Sequence, residues 1–259
     1  PYDAAVDFQG LYKSALITWL RRARERVGFA ECRLREPAAG VFYTERVSAP
    51  GREHVIELNF ALVGRLGVRR LEPLRWQFPL PRSEAVEREV ENRLATLGVG
   101  DFIVMNPGGG WTSKRWPPEC YAELIRHLET ELPLAVLLTG SPDEEEMIRE
   151  ILARSGVSRA HYVPTTLVEF IALVRRAKLF VGGDTGPLHL AAAVQTPLVA
   201  IYGPTDPARN GPFSPADITL WNRGPIDYTR RTNRPAYLPG IPVSTVLAAV
   251  RERLKGAHG

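Results

Sequence analysis

From residue 102 onward, short unbroken apolar runs alternate with stretches of helical period. This alternation restricts the chain to a parallel α/β architecture, because a sheet covered by helices on both faces needs strands that are apolar on both sides. Residues 102–105, 134–138, 179–181 and 198–202 read as buried strands, and 161–163 and 218–221 as two weaker ones. Helices are expected over 117–131, from the acidic start at 143–146, over 166–176 and 188–194, and at the end over 244–255. Six strands with helical crossovers make a complete Rossmann-like unit.

Its most informative part is 178–213, KLFVGGDTGPLHLAAAVQTPLVAIYGPTDPARNGPF. A strand ends at Gly182-Gly183, Asp184 or Thr185 caps a helix with Pro187 in its first turn, and a second strand closes at Gly203-Pro204. A helix N-terminus carries free N–H groups and partial positive charge, which suits a phosphate. The glycines allow close approach to the backbone. Asp184 can accept from sugar hydroxyls, Thr185 can donate to phosphate, and His189 lies one turn in. On pattern alone, an ordinary capped βα turn fits equally well.

A second glycine run, Asn106-Pro107-Gly108-Gly109-Gly110, follows the first of these strands and leads to Lys114 and Arg115. Backbone N–H groups of Gly109 and Gly110 can cradle phosphate, with Lys114 as a point charge. The spacing fits neither a P-loop nor a G-x-G-x-x-G fingerprint, and a flexible loop with a solvated Lys-Arg pair is the plain alternative. Gly140-Ser141-Pro142-Asp143-Glu144-Glu145 opens another helix, where acidic residues complement the helix dipole.

The first third differs. Residues 2–8 read as a strand, Gln9-Gly10 as a turn, and 11–24 as a helix burying Leu16, Ile17 and Leu20, with Trp19 and Arg21, Arg22 and Arg24 at its outer end. Residues 27–29 form a short strand. Residues 31–51 lack a helical period and read as a long loop containing Arg33, Arg35 and Tyr43. Helices follow over 52–67 and 83–97, separated by a proline-containing linker at 71–82. One sure strand and three helices fall short of a covered parallel sheet, so residues are expected to precede Pro1. The expected domains are 1–82, partial, and 83–259.

No apolar run is long enough to span a bilayer, and no signal peptide is visible. The chain has a formal charge of +4, and residues 1–82 hold 14 Lys and Arg against 9 Asp and Glu. That is either a solvated basic face or a surface for an acidic sugar or a phospholipid headgroup; no nucleic-acid motif is present. Cys32 and Cys120 form no motif, which fits a cytoplasmic protein. Zinc spacing, Gly-x-Ser-x-Gly and Asp-x-Asp are all absent.

Gly-Gly-Asp-Thr-Gly-Pro-x-His, then Tyr-Gly-Pro-Thr-Asp-Pro-x-Arg-x-Gly-Pro, together with Lys114-Arg115-Trp116-Pro117, resembles the signature of glycosyltransferase family 9, the lipopolysaccharide heptosyltransferases. Asp7-x-Gln9-Gly10-Leu11-x-Lys13-Ser14 and Arg35-Glu36-Pro37-Ala38 resemble the type I members most. The resemblance implies an α/β GT-B architecture, two Rossmann-like domains facing a cleft, with the N-terminal one incomplete. It implies inverting transfer of heptose from ADP-heptose to a lipid-linked Kdo acceptor, without metal or cofactor, at the cytoplasmic face of the inner membrane, with peripheral membrane contact. It places Asp184, Thr185, Gly186 and His189 at the donor, Lys114 on its diphosphate, Glu144 on a donor hydroxyl, and Lys13 and Arg35 on the acceptor side. The family's general-base aspartate belongs to a segment expected before Pro1, and Asp7 is not its equivalent. No catalytic residue is therefore named, and this chain alone is expected to be inactive. A non-catalytic nucleotide-sugar-binding module and a GT-B-like epimerase are the alternatives.

Overall fold

The structure, a computed structural model, describes residues 2–30, 34, 36–51, 54–69, 77–222, 238 and 240–256. The chain divides into two compact units, Pro1–Trp76 with Ala208–Asn210, and Gln77–Pro207 with Gly211–Gly259.

In the first unit, β1 (Ala4–Val6), α1 (Tyr12–Leu20), β2 (Glu25–Phe29), a 3-10 turn (Pro37–Phe42), β3 (Glu45–Val47) and α2 (Val55–Gly64) follow one another. The strands form a parallel sheet in the order β1-β2-β3, with Val6 opposite Val27 and Phe29 opposite Val47. Leu58 and Leu62 of α2 pack on Val27 and Phe29.

Two sequence expectations change here. The long loop at 31–51 contains the 3-10 turn and β3, so the described residues of the first third hold three strands. Glu45-Arg46-Val47 is too short and polar to announce itself, and its pairing with β2 defines it. The buried face of α1 is Ala15 and Thr18, whereas Ile17 and Leu20 are 58% and 61% exposed. Small Ala15 fits beneath Ala39 and Tyr43, and that close packing sets the helix's rotation.

Asp7, at the end of β1, is buried and accepts four hydrogen bonds. They come from the N–H groups of Gln9 (2.9 Å) and Gly10 (3.3 Å) and from the hydroxyls of Ser14 (2.8 Å) and Tyr43 (2.6 Å). Burial and the bond to Asp7 push the Tyr43 phenol up. This carboxylate ties the β1–α1 turn to the segment before β3. A Cβ on Gly28 of β2 would overlap three atoms of the Tyr43 ring, so glycine is required there.

The second unit runs α3 (Glu84–Thr96), β4 (Phe102–Asn106), α4 (Pro118–Glu131), β5 (Ala135–Leu138), α5 (Glu145–Ser155) and β6 (Ala160–Tyr162). It continues with α6 (Leu167–Val174), β7 (Leu179–Gly183), α7 (Gly186–Ala193), β8 (Leu198–Tyr202), the short α8 (Pro207–Asn210), whose last three residues group with the first unit, β9 (Ile218–Trp221) and α9 (Val243–Lys255). All six strands are parallel, in the order β6-β5-β4-β7-β8-β9. Along β4, Ile103 and Met105 join the core beneath α4 and α9, while Phe102 and Val104 join the core on the opposite face with α3 and α6. Both faces of the central strands are thus buried, which is why these strands read as continuous apolar runs. The strand order reverses direction between β4 and β7, and ligand crevices form beyond the carboxyl ends of strands at such a point. Among the described residues, no helix is long and apolar enough to cross a membrane.

Candidate functional site

A cavity of about 530 Å³ lies where this topology predicts, beyond β4, β5 and β7. Its walls come from four segments: the loop after β4, the loop after β5, the start of α6 and the start of α7.

The loop after β4 is anchored at both ends. Buried Asn106 donates from Nδ2 to the Thr139 carbonyl at 2.9 Å, tying β4 to β5. Trp116 is fully buried, donates from Nε1 to the Ile241 carbonyl at 2.9 Å, and meets Tyr121 edge-on at 4.9 Å between ring centroids. Between these anchors, Gly109 has φ of 156°, a conformation that side chains disfavour. Its carbonyl accepts from Arg115 Nε at 2.8 Å and its N–H donates to Glu144 Oε1 at 2.7 Å. Glu144 Oε2 accepts from the Ser141 N–H at 2.9 Å. A Cβ on Gly108 would overlap the Glu144 carboxylate and displace it from its place beside the Gly109 N–H.

Lys114 ends a 3-10 turn in this loop, Thr112–Lys114. Its ammonium donates to Asp184 Oδ2 at 2.5 Å and sits 4.7 Å from the centre of the Trp111 ring. Asp184 follows β7, and its side chain is only 4% exposed. The same Oδ2 accepts from the Thr205 hydroxyl at 2.7 Å, and His189 Nε2 lies 3.4 Å from Oδ1. Burial opposes charge on Asp184, but hydrogen bonds from His189, Lys114 and Thr205, with the lysine's charge, outweigh it and hold the carboxyl well below the usual carboxylate range. Burial, and next the charge of Asp184, push the Tyr202 phenol up.

A depressed folded value means that Asp184 contributes stability above its unfolded pKa of about 3.9, and that this contribution is lost as pH falls through the folded value. The unaltered and Asp184→Asn chains are therefore expected to differ in unfolding free energy at about pH 5, above the unfolded value. The difference should shrink below about pH 4. Urea titrations at each pH check this, and a difference that grows on acidification would contradict it.

Gly109, Gly110, Lys114, Glu144, Asp184, Thr185 and Gly186 all line the cavity. The Thr185 hydroxyl donates to the Gly183 carbonyl at 3.3 Å and does not cap α7, whose first residues Gly186 and Pro187 form part of the wall. His189 is not among the lining residues and reaches Asp184 instead, with 45% of its side chain exposed. Lys13 is exposed on α1 of the first unit. Arg35 lies outside the described residues, as do Arg33 and Cys32. Sequence reasoning did not single out Trp111, Thr205 or the wall at Thr165, Thr166 and Leu167. Thr166 caps α6, its hydroxyl accepting from the Glu169 N–H at 3.3 Å while the Glu169 carboxylate accepts from the Thr166 N–H at 2.6 Å. Thr205 stands inside the Tyr-Gly-Pro-Thr-Asp-Pro motif, and that was the available signal.

Residues 1–236 match glycosyltransferase family 9 (heptosyltransferase). Lipopolysaccharide heptosyltransferase 1 of Escherichia coli strain K12 is 30% identical over 214 residues, which cover 82% of this chain and 64% of that protein. The chain thus spans under two thirds of that relative's length. The structure of E. coli ADP-heptose lipopolysaccharide heptosyltransferase II is similar with a TM-score of 0.72 and 25% identity, covering 100% of this chain and 78% of the other. E. coli heptosyltransferase WaaC with ADP-2-deoxy-2-fluoro heptose is similar with a TM-score of 0.67 and 26% identity, covering 97% and 72%.

Proposed function

The chain belongs to glycosyltransferase family 9, and on that premise we propose that it serves the transfer of heptose from ADP-heptose to a Kdo sugar of the lipopolysaccharide inner core. The transfer proceeds with inversion and without a metal ion. The observation that carries this reading is the meeting of the Gly109-Gly110 loop, the Lys114–Asp184 pair and the start of α7 in one cavity at the sheet's switch point. The likeness to heptosyltransferases, one of them holding an ADP-heptose analogue, supports it.

In this reading the donor diphosphate lies against Lys114, the N–H groups of Gly110 and Gly186, and the bare backbone of Gly109, whose own N–H is held by Glu144. As the bond from the anomeric carbon to ADP breaks, negative charge grows on the leaving oxygen. A fixed ammonium and fixed N–H groups favour that charge more than they favour the ground state. Glu144 accepts from a donor hydroxyl, and Asp184 faces the sugar, with His189 acting on it only through that carboxylate. Lys13 and Arg35 attract the anionic acceptor, in keeping with the basic excess of residues 1–82. Such an enzyme works at the cytoplasmic face of the inner membrane, through peripheral and salt-sensitive contact.

Calorimetric titration with ADP, ADP-heptose, UDP and GDP tests this. Micromolar binding of ADP and ADP-heptose is expected, with at least tenfold weaker binding of the other two, about 1.4 kcal/mol. Equal affinity for all nucleotides, or none from a folded chain, would overturn the donor assignment.

A further inference from the structure

Lys114, His189 and Thr205 converge on the Asp184 carboxylate in the cavity wall, and the last of them has been given no part in the chemistry. Thr205 is 3% exposed, and its hydroxyl donates to Asp184 Oδ2, the oxygen that also accepts from Lys114. A threonine that merely filled space here would not need its hydroxyl. Its place is set by the turn after β8. Gly203 has no room for a Cβ, because Leu238 occupies that space, and Pro204 fixes the chain's direction. The turn therefore delivers the hydroxyl from the end of β8 to the end of β7.

We propose that Thr205 is a positioning residue of the anion site, fixing the Asp184 carboxylate and, through it, the Lys114 ammonium. Lys114 sits on a loop, and its side chain has many rotamers; an ammonium that must meet a diphosphate gains from being held beforehand. Asp184 supplies the hold, with the Trp111 ring on the ammonium's other side. A carboxylate gripped at one oxygen by a single flexible lysine can still rotate. The buried hydroxyl of Thr205 gives the same oxygen a second donor, which stops that rotation and keeps Oδ1 toward His189. A hydrogen bond to a charged group is among the stronger ones in a folded protein. This inference rests on the donor-site reading for its ligand, and the test separates the two.

The experiment titrates the chain with ADP and, separately, with inorganic pyrophosphate, in five forms: unaltered, Thr205→Val, Thr205→Ser, Lys114→Ala, and Lys114→Ala with Thr205→Val. Valine keeps the shape of threonine and removes the donor; serine restores the donor. Thr205→Val is expected to weaken ADP about tenfold. Thr205→Ser should stay within about threefold of the unaltered chain, and Thr205→Val should add less than about twofold once Lys114 is alanine. Normal affinity in Thr205→Val, or the same loss in both lysine backgrounds, overturns the inference and leaves the donor reading standing. If pyrophosphate binds and ADP does not, the nucleotide reading falls, and the same comparison with pyrophosphate decides on Thr205. If a folded chain takes neither anion, both readings fall.

Discussion

Replacing Lys114 by alanine is expected to weaken ADP binding about a hundredfold, about 2.8 kcal/mol. Two effects add. On the proposed donor reading the cation that meets the diphosphate is removed, and Asp184 is left ionised without its nearest positive partner. Its carboxylate, nearly buried and 2.5 Å from the lost ammonium, then faces an incoming anion of like charge. Removing one member of a largely buried pair also destabilises the fold, here by about 3 kcal/mol. The two consequences separate in the double variant. Lys114→Ala with Asp184→Asn should recover most of the stability, because no lone charge remains, and should not recover the affinity. Lys114→Arg should fall between, since a guanidinium keeps the charge but not the compact position of the ammonium. Calorimetry and urea unfolding supply the numbers. An alanine variant that binds ADP within twofold of the unaltered chain would remove Lys114 from the site.

The second large effect concerns the fold of the first unit. Gly28→Ala is expected to cost about 3 kcal/mol. The new methyl overlaps the Tyr43 ring, which is 6% exposed and held by its hydroxyl on Asp7 at 2.6 Å. Moving the ring aside breaks that bond, and Asp7 also holds Gln9, Gly10 and Ser14. Strand β2 lies between its two neighbours, so a shift of its backbone disturbs both pairings. Tyr43→Phe alone should cost about 1.5 kcal/mol through the lost hydrogen bond, and much less when alanine is already at position 28. Amide exchange gives a local reading: β1, β2 and β3 should lose protection while β4, β5, β7 and β8 keep theirs. Unchanged protection in the first unit would show that the ring relocates at no cost.

How much could be read beforehand followed from how each element is made. Strands β4, β5, β7 and β8 are buried on both faces, so their sequences are unbroken apolar runs. Strands β1 and β3 are three residues each, and Glu45-Arg46-Val47 carries no such run. The rotation of α1 depends on what lies over Ala15, and no period within the helix records that. In the candidate site, the glycines, Lys114 and Asp184 were marked by the family resemblance, while their spacing alone fitted a plain loop and an ordinary capped turn. Glu144 was one of three consecutive glutamates, singled out by the resemblance alone, and the structure gives it partners of its own. Glu145 pairs with Arg149 on the surface, whereas Glu144 turns to the Gly109 and Ser141 N–H groups. The reach of Thr205 depends on a turn whose direction is set by Leu238, distant in sequence.

The Trp116 anchor also bears on the order in which the molecule is completed. The loop carrying Lys114 is held at its far end by the Ile241 carbonyl, 125 residues later in the chain, and the Leu238 N–H donates to the Arg115 carbonyl at 2.8 Å. A chain made from its N-terminus therefore synthesises the lysine early but cannot hold it in place until the segment leading into α9 has emerged and returned. Closing so long a loop is entropically costly and comes late. On the proposed donor reading, competence to bind an anion marks the end of folding in the second unit, and refolding followed by ADP binding should lag behind refolding followed by burial of the central strands.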